Sequence, residues 1–67
     1  MATGTVKWYN KSKGFGYITP DGGGDAVFFH FNCITSDDID LLEGTKVNFV
    51  VMQGMRGPLA TNITLAG

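Results

Sequence analysis

The residues best suited to chemistry in this chain are aromatic rings set between glycines and lysines. Residues 13–18 read KGFGYI. If this stretch is a β-strand, alternation places Phe15 and Tyr17 on one face, and the two glycines and Ile18 on the other. Two large rings side by side on a surface indicate a platform for a flat ligand. A nucleobase is flat, and the neighbouring Lys13 could contact the phosphate that links one base to the next.

Further rings fall on the stretches before and after this one. Trp8 precedes it, and Phe28 and His30 share one face of the stretch that follows it. In an antiparallel meander these stretches are neighbours, so their rings could form one patch. Stacking of a base on such a ring is worth about 1–3 kcal/mol and tolerates any sequence, because every base has a π-face. Lys7 could contact a phosphate, and Arg56 could contact a phosphate or stack on a base.

Trp8 does not fit simple alternation. Strict alternation puts Trp8 on the same face as Val6, which has the character of a core residue. Either the first strand contains a bulge or a sharp bend, or Trp8 is buried. Because barrel strands often bend, we place Trp8 on the platform. Phe29 and Phe49 are assigned to the core.

The chain offers little for catalysis or metal binding. It has one histidine and one cysteine, Cys33, and no cluster of ligands at metal-site spacing. The acidic run Asp37, Asp38 and Asp40 lacks the alternating ligands and the glycine of a calcium loop, so these side chains are expected to be solvated. We expect no enzymatic activity, no cofactor and no metal. A lone cysteine excludes an internal disulfide and fits a cytoplasmic location, and no signal peptide or membrane span is predicted.

Length and charge narrow the class further. The 67 residues suffice for one domain, predicted over 1–67. Five Lys and Arg against six Asp and Glu give a net charge of −1, which is not the strongly basic balance of a duplex-DNA binder. The charges are nevertheless segregated, because Lys7, Lys11 and Lys13 lie within seven residues that contain no acid. This segregation predicts a mildly basic aromatic region and an acidic loop elsewhere.

The elements that must position these residues are short strands. β-branched and aromatic residues between glycine-rich turns predict five of them, at 3–10, 14–19, 26–31, 45–52 and 59–65. Pro20 is predicted to end the second strand, and 53–58 to form a loop. Residues 32–44 read as a long loop pinned by Ile34, Leu41 and Leu42, and Val51 is predicted to share a buried face with Val47. A closed barrel is favoured over a sandwich, because closure avoids long exposed edges.

Four stretches of the chain resemble a known family. Residues 13–18 (KGFGYI) and 27–31 (VFFHF) resemble the two ribonucleoprotein-type motifs of a cold-shock domain. Residues 4–10 (GTVKWYN) resemble the opening strand of that family, and 56–63 (RGPLATNI) its closing segment. The match runs in order through essentially the whole chain. An RNA-recognition motif fits less well, because its consensus ends in an aromatic where this chain has Pro20, and its fold needs two helices.

The resemblance implies an all-β fold, a five-stranded antiparallel oligonucleotide-binding (OB-fold) barrel. It implies binding of single-stranded RNA and DNA. Small members of the family act as RNA chaperones, and some act in transcription antitermination or cold adaptation. We expect a monomer. By simple alternation Phe31 belongs to the core, but the resemblance places it at the strand end facing the ligand, and we follow the resemblance. The positions that match ligand-contacting residues, with Tyr9 and Lys11 as neighbours, are Lys7, Trp8, Tyr9, Lys11, Lys13, Phe15, Tyr17, Phe28, His30, Phe31 and Arg56.

Three departures from the family pattern predict weaker binding and a shorter site. Ile39 stands where many members carry an aromatic residue, and the acids around it would repel phosphate. Leu59 stands where a glutamine is common, so a polar contact to a base is lost. Two other functions remain open on the residues alone: a module whose aromatic patch binds a peptide, and a nuclease or other enzyme on a similar barrel.

Overall fold

A computed structural model describes residues 2–35 and 41–66 as one closed β-barrel. The order of strands around the barrel is β1-β2-β3-β5-β4, and β4 pairs with β1 to close it. β3 and β5 are parallel and the other four pairings are antiparallel. Parallel strands need a long crossover, which the chain between them supplies. The elements are β1 (Ala2–Asn10), β2 (Phe15–Pro20), β3 (Val27–His30), a 3-10 helix (Phe31–Cys33), β4 (Lys46–Gly54) and β5 (Gly57–Leu65).

The expected all-β barrel is confirmed, and its core is thin. The buried side chains alternate along the strands with outward-facing ones, as the pleat requires. Two phenylalanines, Phe29 and Phe49, are the largest fully buried side chains. Both were assigned to the core from the sequence. The remaining core residues are Val6, Ile18, Val27, Leu41, Val47, Ala60 and Ile63.

Gly16 lets β1 and β2 approach closely above this core. A Cβ atom at Gly16 would collide with the backbone oxygen of Trp8, and would lie 2.9 Å from the Phe29 ring and 2.9 Å from the Tyr9 Cα. Two of these three neighbours are backbone atoms, which cannot move aside without disturbing the strand pairing. The inward face of β2 therefore has room for a hydrogen atom at position 16 and for nothing larger.

β1 contains the bulge that Trp8 requires. Val6 pairs with Ile18 and Trp8 pairs with Tyr17, so Lys7 is an extra residue with no partner opposite it. An extra residue shifts the alternation by one and re-aims the side chains that follow it. Val6 is consequently buried while Trp8 faces outward. Of the two alternatives for Trp8, the structure has the bulge.

Several predicted boundaries are wrong at their ends. β2 spans Phe15–Pro20 and not 14–19, although it does end at Pro20 as predicted; Pro20 pairs with Gly4, because the end of a strand tolerates a residue without an N–H. Phe31 leaves β3 and begins the 3-10 helix, where its N–H donates to the Gly14 carbonyl at 2.8 Å. The predicted loop at 53–58 is a tight hairpin, since Gly54 pairs with Gly57 and only two residues turn.

Two apolar residues predicted to be buried are exposed. Val51 is exposed although it pairs with the buried Ala60. The pairing of β4 with β5 shifts register between Asn48 and Val50, where β5 carries one extra residue. Asn62, with a φ of 52°, lies on the bulged side of this shift. Leu42 is exposed, and only Leu41 and the half-buried Ile34 anchor the described ends of the long connection. Ile39 and the three aspartates around it lie outside the described residues.

Candidate nucleic-acid interface

Four rings from three adjacent strands form one continuous patch on the barrel surface. Trp8 lies 5.3 Å from Phe15 and 6.3 Å from Tyr17, measured between ring centroids. Phe28 closes the set, 5.7 Å from Phe15 and 5.8 Å from Tyr17. These are ordinary distances for interacting aromatic pairs, which prefer tilted or edge-to-face arrangements. We call these four rings, together with His30 and Phe31, the ring platform.

Strand register sets the positions in the platform. Tyr17 is opposite Trp8 in β1 on one side and opposite Phe28 in β3 on the other. Phe15 is opposite His30. Residues directly opposite each other in neighbouring strands have Cβ atoms about 4.5–5.5 Å apart, close enough for their rings to touch. The ring platform is thus a product of the pairing of β1, β2 and β3.

The platform rings are open to solvent, although not equally. Trp8 is 37% exposed and Tyr17 38% exposed, and Phe31 at 54% is the most open of the set. Phe15 and Phe28 are half-buried by their neighbours. Exposed apolar surface that is contiguous is a mark of an interaction site in a small domain. Open ring faces of this kind can accept stacked bases.

The 3-10 helix extends the platform beyond the end of β3. The ring of Phe31 lies 4.7 Å from the ring of His30, between centroids. Gly14, with a φ of 77°, provides the surface beneath it, because a Cβ there would lie 2.8 Å from the Phe31 ring. His30 Nδ1 accepts from the Asn32 N–H and lies 3.0 Å from Asn32 Oδ1. The Nε2 atom of His30 is left as the ring nitrogen that can meet a base.

A small recess beyond Phe31 carries two of the predicted lysines. Lys11 and Lys13 line it together with Ser12, Tyr9 and Phe31, and it encloses about 340 Å³. The ring of Tyr9 also stacks on the core residue Phe29, with centroids 5.5 Å apart. Tyr9 therefore supports the recess from below and is only half-exposed. The recess offers two ammonium groups beside an open ring, a combination suited to a nucleotide phosphate.

A larger groove runs along the other side of the platform. Tyr17 and Phe28 form one wall, and the tip of the β4–β5 hairpin with Met55 and Arg56 forms the other. Its volume is about 570 Å³. Arg56 is exposed at the turn. Its planar guanidinium can pair with a phosphate or lie flat on a base.

Within residues 2–35 and 41–66, no acidic side chain belongs to the platform or lines its two flanking recesses. Among the residues that line the groove and the recess, the charged ones are Lys11, Lys13 and Arg56. Lys7 is exposed at the bulge beside Trp8. A strand of nucleic acid lying on the rings would therefore meet cations at both ends and along one edge.

The structure places the predicted site residues in the ring platform or in the two recesses beside it, except Lys7, which precedes Trp8 at the bulge. Two of these residues differ in detail from the prediction. Tyr9 packs mainly on the core, and Phe31 belongs to the 3-10 helix rather than to a strand. Sequence reasoning missed Met55 and Pro58 as groove residues, and Asn32 as the partner of His30. The glycines at 54 and 57 were the available signal for the first two, since a two-residue glycine hairpin presents its tip side chains outward. For Asn32 no signal was available.

Other kinds of site are not found in the described part of the chain. Within residues 2–35 and 41–66, no group of three His, Cys, Asp or Glu side chains could hold a metal ion. Over the same residues, no helix has the length and apolar character needed to cross a membrane.

Comparison with known proteins places these features in a family. The sequence model described as the 'Cold-shock' DNA-binding domain matches residues 2–66. Cold shock protein CspV of Vibrio cholerae is 53% identical over 62 residues, which cover 91% of this chain and 89% of that protein. Cold shock protein ScoF of Streptomyces coelicolor is 52% identical over 67 residues, covering 98% of this chain and all of that protein.

A solved structure shares the fold at much lower sequence identity. The Drosophila Unr CSD456 structure superposes with a TM-score of 0.86 at 23% identity. The match covers 98% of this chain and 26% of that longer chain. The barrel geometry is therefore shared well beyond the range of close sequence similarity.

Proposed function

Since the chain belongs to the cold-shock DNA-binding domain family, a family of nucleic-acid-binding proteins without enzymatic activity, we propose that it binds single-stranded RNA and DNA on its ring platform and acts as an RNA chaperone. One observation carries the proposal. Trp8, Phe15, Tyr17 and Phe28 form an unbroken patch of rings, each in contact with two others. Bases in a duplex are stacked on one another, so a platform of open rings can bind them only when they are unpaired.

Chaperoning follows from such selective binding by mass action. A protein that binds the open form of a hairpin and not the closed form shifts the equilibrium toward the open form. At a free protein concentration of about 100 times Kd the shift is worth roughly 2.7 kcal/mol. Weak hairpins would open and strong ones would stay closed, without ATP. Transcription antitermination and cold adaptation are processes that this activity could serve, because both depend on weak RNA structure.

The proposal includes the form in which the protein acts. We place residues 1–67 in the cytoplasm as one binding domain and as a monomer. Cys33 is the sole cysteine and fits a reducing compartment. A single platform of this size would cover a short stretch of nucleic acid. Several copies of the protein would then bind along one RNA, each on its own short stretch.

A hairpin-opening measurement tests the proposal. An RNA hairpin with a fluorophore and a quencher at its ends, and a stem of about 2 kcal/mol, should brighten as the protein is added without nucleotide triphosphate. A hairpin with the same loop and a much longer stem is the matched control and should stay dark. The Phe28→Ala variant should open the weak hairpin only at higher concentration. Failure of the unmodified protein to open the weak hairpin at saturation would contradict the proposal.

A further inference from the structure

His30 presents one edge of its ring to the 3-10 helix that follows it. The Nδ1 atom lies 3.0 Å from the side-chain oxygen Oδ1 of Asn32 and 3.5 Å from the Asn32 backbone nitrogen. The His30 ring is half-buried, and the Phe31 ring lies beside it with 4.7 Å between centroids. These neighbours fix the orientation of the His30 ring and leave its Nε2 atom for a ligand.

The two groups of Asn32 make opposite demands on Nδ1. The backbone N–H is a donor and needs an Nδ1 atom without a proton, whereas Oδ1 is an acceptor and needs an Nδ1 atom that carries one. A neutral ring with its proton on Nε2 can serve the backbone N–H. A charged ring has a proton on both nitrogens, so its Nδ1 donates to Oδ1 at the shorter of the two distances. Asn32 therefore supplies a partner for each state of the ring, and the stronger bond is the one to the charged state.

A second contact holds the Asn32 oxygen in this position. The Cys33 thiol donates to the same atom, with 3.7 Å between Sγ and Oδ1. An amide oxygen has two lone pairs, so it can accept from the thiol and from Nδ1 together. If the amide were turned over, its NH2 group would face the Nδ1 proton of a charged ring. The thiol therefore favours the orientation in which Asn32 stabilises charge on His30.

The elements around His30 offer no other group that titrates as an imidazole does. On β2, Phe15 is opposite His30, and β5, which packs on the 3-10 helix, has no titratable residue. The titratable groups that the described residues place around the ring belong to the 3-10 helix, to β2 and to the recess beyond Phe31: Cys33, Tyr17, Tyr9, Lys11 and Lys13. Thiols, phenols and amines ordinarily keep their charge state between about pH 5 and 7.5, whereas an imidazole changes its charge there.

We propose that Asn32 is a positioning residue that makes His30 a proton-dependent phosphate contact, so that the ring platform binds a single strand more tightly as the pH falls. The inference rests on the proposed function, since it concerns the same platform. The charged ring donates from Nδ1 to Asn32 and from Nε2 to a phosphate oxygen. The complex then holds one proton more than its separate partners, and by reciprocity a rise in proton concentration strengthens binding.

The test measures binding of oligothymidine by quenching of Trp8 fluorescence between about pH 7.5 and 5. Thymine does not titrate in this range, so the ligand keeps its charge. One additional phosphate contact should tighten binding about five-fold at roughly 0.1 M salt, and should steepen the slope of log K against log salt concentration by about 0.7. His30→Gln, which cannot take up the proton, should bind with nearly the same affinity at both ends of the range.

Two substitutions of Asn32 separate positioning from a merely structural role. Asn32→Asp places a carboxylate beside Nδ1 and should move the midpoint of the pH dependence upward by roughly 0.2–0.7 pH unit, the value of an exposed ion pair. Asn32→Ala removes the acceptor and should move the midpoint downward. The backbone N–H that His30 caps is present in both variants. Asn48→Ala, the same truncation on β4, is the matched control and should keep the midpoint of the parent.

The outcomes distinguish the inference from the function on which it rests. Equal affinity of the parent at both ends of the pH range would overturn the inference, and so would a pH dependence that persists in His30→Gln. A midpoint that stays in place in both Asn32 variants would overturn the role of Asn32, because a disturbed 3-10 helix lowers affinity without moving the midpoint in opposite directions. If oligothymidine does not bind at any pH, it is the proposed function that fails.

Discussion

At the scale of single residues, small side chains on one face make the large ones on the other face possible. Gly16 is buried against the Trp8 backbone and the Phe29 ring, while its neighbours Phe15 and Tyr17 point to solvent. Close approach of β1 to β2 brings Trp8 within contact distance of both rings. The glycine therefore contributes to the ring platform without touching any ligand.

Gly16→Ala should destabilise the barrel strongly. The added Cβ would meet two backbone atoms and the buried Phe29 ring, so the strands would have to separate. Overpacking of this kind costs about 1–3 kcal/mol, and backbone obstruction places this change at the upper end. Urea denaturation of the parent and the variant measures this loss in the free energy of unfolding.

Gly22→Ala is the matched control for that substitution. Gly22 lies in the turn between β2 and β3, and a Cβ there meets nothing within 4 Å. Its φ is outside the left-handed region, so alanine should be neutral or stabilise by about 0.4–1 kcal/mol through the unfolded chain. Equal stability of the two variants would show that the approach of β1 to β2 is looser than the structure has it.

At the scale of elements, the sequence predicted which stretches are strands better than where they end. Alternation located the core of each strand, because inward residues such as Ile18 and Phe29 must be apolar in this thin barrel. Local pattern could not locate the register shift opposite Asn48, which depends on how β5 meets β4 across the barrel. The 3-10 helix likewise depends on the cap that His30 supplies to Asn32.

The candidate site was predictable from the same alternation of inward and outward residues that located the core. Phe15 and Tyr17 were placed outside because the glycines and Ile18 occupy the inner face. Trp8 needed the bulge at Lys7, for which the sequence offered only the choice between a bend and burial. The groove beside the platform was not predicted, since it arises where the hairpin tip and Phe28 meet across the parallel pairing of β3 with β5.

An ion pair between loop and strand gives the barrel a pH-dependent contact. The Lys46 ammonium donates to Asp21 Oδ1 at 2.7 Å, and the Thr3 hydroxyl donates to Asp21 Oδ2 at 2.9 Å. Hydrogen bonds from Lys46 and Thr3 to the carboxylate lower the pKa of Asp21. Asp21 thereby joins the turn after β2 to the first residues of β1 and β4.

Asp21→Asn should remove a contribution to the free energy of unfolding that is present at neutral pH and absent in acid. Because the pKa of Asp21 is lower in the folded state than in the unfolded state, the contribution is fully present above about pH 4 and is lost as pH falls through the folded value. The free energies of unfolding of parent and variant should therefore differ at pH 7 and converge in acid. Asp25→Asn, in the same turn, is the matched control. A difference that stays constant down to pH 2 would contradict this role for Asp21.

At the scale of the whole molecule, the positions of the charged residues matter more than their number. The net charge is −1, yet Lys13 and Arg56 line the recess and the groove beside the ring platform, and Lys7 precedes Trp8 at the bulge of β1. Release of counterions from about three phosphates would supply a modest part of the binding free energy. Stacking on the rings would supply the larger part, at about 1–3 kcal/mol per base.

Binding should consequently depend weakly on salt. Three phosphate contacts to a single strand predict a slope of roughly −2 in a plot of log K against log salt concentration. Lys7→Ala should reduce the magnitude of that slope by about 0.7, since it removes one contact. Titrations with oligothymidine at several salt concentrations give both slopes. A slope several times steeper in the parent would mean that phosphate contacts, and not rings, dominate.

The central claim is that open rings hold unpaired bases, and Trp8 reports on it directly as the sole tryptophan of the chain. Oligothymidine should quench its fluorescence, and Phe15→Ala and Phe28→Ala should each weaken binding about ten-fold, a value within the range for loss of one stacked base. Leu65→Ala, an exposed apolar residue away from the platform, should bind as the parent does. If the two ring variants are folded and bind with the affinity of the parent, the ring platform is not the binding site.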